Sequence, residues 1–443
     1  MSEKVFKNFC TELSRYPDLL NESKIVICLS GGSDSLALLL LIQEWIIYNK
    51  QISKPSAIDA IEFKLSLSQT KIIAVSVDHK LREDSTSQLQ ELSVFCKKIK
   101  IEHHILDWNH PKITSAIQSK ARNARYNLIT KWCKENGCNI ALTGHILEDQ
   151  LEQVLISLAH GSGIYSYLIP ELNIISDIKF IRPLLNLTKK DLQEYLTEKK
   201  VTWWEDSSNS QPKYLRNRIR PIALKLLELS DIKRIATSFE NIKRISSSLK
   251  QLSQDLLNQC FSLEILGYGI LDLQSFKSYT KENRFSILRY IFQAVGRRDK
   301  DIRLESLAII DDAIFYAKTK TLLGCKIAYS NNDKDFKAYI FREFGKNDYP
   351  QDLFEDGIWD NRFVITNFNS YVVKKIDKNI IENLIKNRPD ILDFNNQMPR
   401  NIKKFILFSM PGIFSLEKLE AIPHIYNCQP VSSEIEFDCK FIM

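Results

Sequence analysis

"VICLSGGSDSLALLLLI" runs from residue 26 to residue 42, and its reading decides the fold. An apolar run stops at two adjacent glycines, takes up an aspartate between two serines, and resumes as almost unbroken leucine. The chain has only 13 glycines in 443 residues, and Gly31-Gly32 is the one adjacent pair. A pair so placed meets a backbone need, positive φ and close approach to a ligand. A strand ending at Leu29, a loop of Ser30, Gly31, Gly32, Ser33, Asp34 and Ser35, and a helix from about Ser35 form an anion-binding geometry. The helix offers unpaired N–H groups and the positive end of its dipole, and the loop can form a nest of N–H groups around phosphate. An ordinary tight turn is the competing reading. No Gly-x-x-x-x-Gly-Lys-Ser/Thr is present, and the third glycine of the dinucleotide fingerprint is missing. A nucleophile elbow would need a glycine where Asp34 or Ser35 stands.

Outward from this loop, residues 1–222 alternate strand-like and helix-like segments. "KIVICLS" (24–30), "KIIAVSVD" (71–78), "IEHHILDW" (101–108) and "NIALTGH" (139–145) read as strands. Apolar strands alternating with helices argue for a parallel sheet covered on both faces. Residues 50–70 read as a peripheral insertion in the first crossover. After Pro221 the pattern changes. Apolar residues from Ile232 to Leu256 recur at spacings of three and four, which predicts a long amphipathic helix and an all-helical unit over 223–320. From 321 to 443 the chain reads as a small mixed α/β or β-rich unit. "CKIAYSNNDKDFKAYIFRE" is its hairpin, with the turn at Asn331-Asn332-Asp333, and "RFVITNF", "YVVKKI" and "KKFILFSM" are further strands.

Composition fits a soluble, several-domain protein: 44% hydrophobic, 26% charged, formal charge +7. The modest positive excess permits a nucleic-acid partner without requiring one. Nine scattered cysteines with no Cys-x-x-Cys pair argue against a disulfide framework, a zinc site and a cysteine-held cluster. The amino terminus lacks the apolar run of a secretory signal, and no stretch is long enough to span a bilayer, so the expected place is the cytoplasm, with no membrane partner. The sequence carries no signature of an oligomeric state.

Ser-Gly-Gly-x-Asp-Ser resembles the pyrophosphate loop of the N-type ATP pyrophosphatases, the PP-loop superfamily. Downstream, "VDHKLREDS" (77–85), "ARNARY" (121–126), "TGHILEDQLEQ" (143–153), "HGSGI" (160–164), "IRPLL" (181–185) and "WWEDSSNSQPKYLRNRIR" (203–220) stand in the order found in tRNA(Ile)-lysidine synthetases. These motifs span most of residues 24–220. Beyond them only helical character and "PGIF…IPHIYN" are similar to that family. The implied fold is a Rossmann-like PP-loop ATPase domain followed by the helical and β-rich units. The implied reaction joins free lysine to C2 of the wobble cytidine in the CAU anticodon of tRNA(Ile). ATP adenylates the cytidine, and pyrophosphate and then AMP are released.

The residues have their own reading. In "SAIQSKARNARYNLITKW", Ile117, Ala121, Ala124 and Leu128 form a buried stripe, leaving Arg122 and Arg125 on an adjoining face to meet one phosphate or carboxylate. A solvated basic face is the alternative. After "TGH", the stripe Leu147, Leu151, Val154 and Leu158 leaves Glu148, Asp149 and Glu152 off the core. Carboxylates opening a helix commonly serve its dipole. Here they lie at the carboxyl edge of a parallel sheet, where such sheets bind ligands. Asp34 and Asp149 would then face one Mg²⁺ on ATP phosphates. The family pattern has aspartate at 148 and threonine at 153, where this chain has Glu148 and Gln153.

His79 and His145 each close a strand at that edge, while His103 and His104 are structural. On the implied mechanism Asp34 and Asp149 hold the metal and Arg122 stabilises charge on the α-phosphate. His145 or Glu148 stands near the lysine amine, whose deprotonation costs roughly 4.6 kcal/mol at pH 7. Arg216 and Arg218 of "RNRIR", with Lys233-Arg234, Lys243-Arg244 and Arg297-Arg298, supply basic groups for tRNA phosphates. Other PP-loop chemistry remains open: cytidine thiolation, which resembles a type with Cys-x-x-Cys cluster ligands, or amide formation on a small metabolite. So does a tRNA-binding protein without catalysis.

Overall fold

The computed structural model describes residues 2–52, 70–80, 85–110, 117–162, 167–204, 215–296, 302–330, 336–344, 350–366, 371–427 and 438–441. Most of the 50–70 insertion, the 331–333 turn, Arg297-Arg298 and parts of "VDHKLREDS", "HGSGI" and "WWEDSSNSQPKYLRNRIR" lie outside them. The chain forms two compact units, 1–243 and 244–443.

The first unit runs α1 (Ser2–Leu13), β1 (Lys24–Cys28), α2 (Ser33–Ile52), β2 (Lys71–Asp78), α3 (Ser85–Lys98), β3 (Glu102–Asp107) and α4 (Ile117–Glu135). It continues through β4 (Ile140–Thr143), α5 (Leu147–Ala159), β5 (Leu172–Ile175), β6 (Ile178–Ile181), α6 (Lys189–Glu198) and α7 (Leu215–Leu229). α8 (Ile232–Cys260) runs across the division at 243/244. Six strands make one sheet in the order β3-β2-β1-β4-β6-β5, parallel except for β5. Alternation along β1 sends Ile25 and Ile27 to the core under α1, α2 and α6, and Val26 to the opposite core with Ile129, Trp132 and Phe180. The leucine run resumes after the glycines because α2 is an interior helix: Leu38, Leu39, Leu41 and Ile42 have no exposed surface.

The chain passes from β1 outward to β2 and β3, then returns to lay β4 on the other side of β1. The order reverses between β1 and β4, and the crevice beyond their carboxyl ends is where such sheets take ligands. The glycine loop and the "TGHILEDQ" turn both end there.

The second unit contains β7 (Phe261–Leu263), β8 (Gly269–Asp272), α9 (Leu273–Ser278), α10 (Lys281–Gly296), α11 (Leu304–Phe315), β9 (Lys320–Leu322), β10 (Cys325–Tyr329) and β11 (Lys337–Arg342). The strands join in the order β7-β8-β11-β10-β9, so the helical stretch also carries two strands. β10 and β11 are the expected hairpin arms, with Cys325 opposite Arg342. Because this sheet and α7, which runs through Pro221, cross the lines at 320/321 and 222/223, the three-way division drawn from sequence stands as a proposal about function.

Then come β12 (Gly357–Trp359), β13 (Phe363–Thr366), β14 (Val372–Lys375), α12 (Lys378–Asn387), α13 (Arg400–Leu407), β15 (Pro411–Ser415), β16 (Lys418–Ile422), β17 (Tyr426–Asn427) and β18 (Asp438–Phe441). These strands form a three-stranded sheet, β12-β13-β18, and a four-stranded one, β14-β15-β16-β17. "KKFILFSM" is not a strand. Residues 403–407 of it end α13, because Ile402 and Ile406 bury one helical face at a spacing of four, and β15 starts only at Pro411.

Candidate active site

Gly31 takes the left-handed conformation, φ +81°, which an L side chain rarely adopts. The loop is braced by its serines. Ser35 Oγ donates to Gly32 O at 3.1 Å and accepts from Ser30 N at 3.1 Å, and Ser33 Oγ donates to Asp34 at 2.8 Å. The helix opens at Ser33, two residues earlier than its pattern suggested. Gly144 brings the β4–α5 turn against this loop, since a Cβ on it would stand 3.1 Å from the Asp34 carbonyl group and Ser35 N.

That close approach gathers acidic groups from two elements. Asp34 opens α2, while Glu148 and Asp149 open α5. One Glu148 oxygen accepts from Lys189 N, the first residue of α6, at 2.9 Å; the other, Oε2, is buried without a partner among the described residues. Asp149 Oδ2 accepts from Ile146 N at 3.1 Å, capping α5, and Oδ1 stands 3.9 Å from Arg216. Burial raises all three carboxyls, Glu148 to about 7, with Asp34 and Asp149 adding repulsion.

Beneath them lies Glu152, only 2% exposed, one oxygen taken by Arg216 Nε at 2.8 Å and the other by Arg220 Nε at 2.6 Å. The helix stripe therefore differs from the expected one. Leu147 and Leu151 are buried, but Leu158 is exposed and Glu152 goes inside, because the arginines four apart on α7 follow it. Arg218, between them, is exposed on another face and does not join the cluster.

A basic group stands at the ends of β2, β4 and β6. Arg125 donates to His79 Nε2 at 3.3 Å, and Arg122 lies over the Tyr126 ring. Burial and the charges of Arg182, Arg122, Arg216 and Arg125 hold His145 well below the usual histidine range, so it is neutral; its Nδ1 pairs with Thr143 Oγ1 at 3.0 Å. His79 is lowered to about 4, first by burial and then by Arg125, so it too is neutral. His103 is structural, held between Ser76 and Ser93 at 2.7 Å on each side.

The α4 stripe turns slightly from the expected one, with Ala121, Ile129, Trp132 and Cys133 buried. Among the described residues no three His, Cys, Asp or Glu side chains are grouped to hold a metal by themselves. Two carboxylates beside a phosphate loop are still the donor set suited to Mg²⁺, which keeps several waters and takes the rest of its shell from substrate phosphates. Glu148 Oε2, without a partner among the described residues, is open to a ligand.

The chain matches, over residues 2–227, the family described as the PP-loop domain. It is 31% identical to the tRNA(Ile)-lysidine synthase of Orientia tsutsugamushi (strain Boryong), covering 97% of this chain and 96% of that protein. The tRNA(Ile)-lysidine synthase of Rickettsia typhi (strain ATCC VR-144 / Wilmington) is 30% identical, covering 95% and 94%.

This chain belongs to the tRNA(Ile)-lysidine synthase family.

As a member of that family it is an enzyme of the ligase class built on an ATP-using PP-loop domain. A solved structure, the U34-tRNA thiolase NcsA from Methanococcus maripaludis with its [4Fe-4S] cluster, covers 55% of this chain and 81% of that one. At 17% identity and a TM-score of 0.43 nothing further rests on it. No helix among the described residues is long and apolar enough to cross a membrane.

Residue type and local spacing did not mark Glu152, Lys189, Arg182, Tyr126 and Trp204 as parts of the candidate site. The spacing of Arg216 and Arg220 was the signal for a shared acidic partner. Trp204, whose N–H donates to Gly31 O at 3.2 Å, reaches the glycine loop from far along the chain, a contact that no local pattern encodes.

Proposed function

We propose that this member of the family forms lysidine in tRNA(Ile) by dividing the work between its acidic and basic clusters. The observation that carries the reading is that, among the described residues, one Glu148 oxygen has no partner and lies beside Asp34, Asp149 and the glycine loop, while Arg122 and Arg125 are exposed and have no carboxylate partner. Ser30, Gly31, Gly32, Ser33 and Ser35 receive the β- and γ-phosphates of ATP through loop and helix N–H groups. Asp34 and Asp149 would hold Mg²⁺, which supplies charge neutralisation along the phosphates when bound. The C2 carbonyl oxygen of the wobble cytidine of the CAU anticodon attacks the α-phosphorus, and the bond to pyrophosphate breaks. Arg122, with Arg125, meets the charge that develops on the α-phosphate oxygens.

Free lysine then presents its ε-amine to C2. Glu148, with a pKa of about 7, is matched to receive the ammonium proton, whereas His145 is too weak a base beside four arginines. The amine forms the carbon–nitrogen bond, AMP leaves with the C2 oxygen, and the proton is passed to solvent. His145 serves instead as a neutral hydrogen-bonding group among the arginines. Arg216 turns Asp149 toward the crevice, and Arg218 on the exposed face meets tRNA phosphate.

The test is Asp34→Asn and Asp149→Asn, with AMP release and tRNA binding measured separately. Asparagine retains the carbonyl oxygen that caps α5 but not the charge. Loss of AMP release with tRNA affinity retained supports the reading. Normal AMP release with lost tRNA affinity would refute it.

A further inference from the structure

Arg182 follows β6 directly and is only 3% exposed. A guanidinium keeps its charge in a protein, so its burial calls for a carboxylate or for every N–H to be satisfied. Arg182 has neither among the described residues. Its NH1 donates to Pro170 O at 2.6 Å and its NH2 to the Tyr126 hydroxyl at 3.3 Å, both neutral acceptors, while its Nε–H is buried without a partner.

The same hydroxyl receives a second guanidinium. Arg122 NH2 stands 3.5 Å from it, with the Arg122 carbon 5.2 Å from the centre of the Tyr126 ring. The ring is fixed in turn by an edge-on contact with Phe180, centroids 5.0 Å apart. One phenol oxygen thus uses both lone pairs on two like-charged groups, leaving its own O–H to donate. Two cations at one neutral oxygen repel each other. Such a constellation is relieved by an anion arriving at the open side.

We propose that Arg182 is a positioning residue for adenylation, setting Arg122 against the α-phosphate through the Tyr126 hydroxyl. This rests on the reading that Arg122 meets the α-phosphate. Arg182 touches no reacting atom. It holds the phenol, the phenol holds the Arg122 fork, and the excess charge is balanced when the phosphate enters. The acidic cluster takes no part in this arrangement.

The test uses the full chain and tRNA(Ile), with tRNA-dependent exchange of pyrophosphate into ATP read as kcat and KM. Tyr126→Phe keeps the ring and its packing but removes the hydroxyl. Arg182→Lys keeps the charge but removes the fork. Each is expected to lower kcat about tenfold or more with KM for ATP within about twofold. Arg122→Ala is expected to lower kcat about a hundredfold, and the Arg122→Ala/Tyr126→Phe double variant to be no slower than Arg122→Ala alone.

Multiplicative losses in the double variant, or normal kcat in Tyr126→Phe, overturn the positioning role while the reading of Arg122 stands. Normal exchange by Arg122→Ala overturns both.

Discussion

The indole of Trp204 fills the space that a side chain on Gly31 would need: a Cβ there would lie 2.2 Å from two of its ring carbons, and Trp204 N donates to Gly31 O at 3.2 Å. Gly31→Ala adds left-handed strain of about 1–2 kcal/mol to that clash, so a lower melting temperature and lost ATP binding are expected together. Gly32 is different. Among the described residues a Cβ on it would meet only Ser30 Oγ, at 3.8 Å, so none of them demands glycine there. Gly32→Ala should melt like the unaltered chain but bind ATP at least about tenfold more weakly, a difference of about 1.4 kcal/mol. Equal effects of both variants on melting would contradict the assignment of Gly32 to ligand approach.

Glu148 sets a pH signature. Its carboxyl is raised from 4.5 to about 7, so the folded chain binds its proton more tightly than the unfolded chain. The resulting stability is fully present below about pH 4.5 and is lost as pH rises through about 7. A lysine ammonium placed beside the carboxylate reverses the preference. Lysine binding to the protein with ATP at pH 6.5 should therefore release up to about three quarters of a proton, seen by calorimetry in buffers of different ionisation enthalpy, and Glu148→Gln should abolish the release. Unchanged proton release in that variant would remove Glu148 from the amine site.

Arg218 and Arg220 are two residues apart but should behave as opposites. Arg220 covers one oxygen of the buried Glu152, so Arg220→Ala is expected to cost about 2–4 kcal/mol of stability, Arg216 still covering the other. Arg218 is exposed. Arg218→Ala should leave melting and AMP release intact, weaken tRNA binding, and flatten the slope of log affinity against log salt by about 0.7–0.9.

The basic pairs of α8 separate in the same way. Lys243 is engaged by Glu171 and by Glu240, so it is not placed to give its charge to RNA. Lys233 and Arg234 are exposed near the start of the helix. Lys233→Ala/Arg234→Ala should flatten the salt slope by roughly one to two units, and Lys243→Ala should change stability while leaving the slope unaltered. The reverse pattern would move the tRNA face away from the first turn of α8.

The parallel sheet was legible because apolar strands of β1, β2 and β4 alternate with amphipathic segments, and because a glycine pair is conspicuous in so glycine-poor a chain. The placement of Asp34, Glu148 and Asp149 at helix starts beside the glycine loop was legible because residue type and local spacing suffice for it. Glu152 was misplaced because a carboxylate on a helix flank reads as solvated until Arg216 and Arg220 arrive from α7, more than sixty residues later. "KKFILFSM" was misread because four apolar residues in a short run suit a strand and a buried helix turn equally; the packing of Ile402 and Ile406 decides it. Charged pairs on α8 look alike in sequence, and the ion pairs of Lys243 with Glu171 and Glu240 distinguish it from Lys233.

The most direct measurement of the central claim is incubation of the full chain with ATP, labelled lysine and either tRNA(Ile) bearing a CAU anticodon or other tRNAs. AMP, pyrophosphate and label are counted together. The account predicts label at the wobble cytidine of tRNA(Ile) alone, with one AMP and one pyrophosphate released for each lysine joined. AMP release without lysine incorporation, or equal labelling of every tRNA, would contradict it.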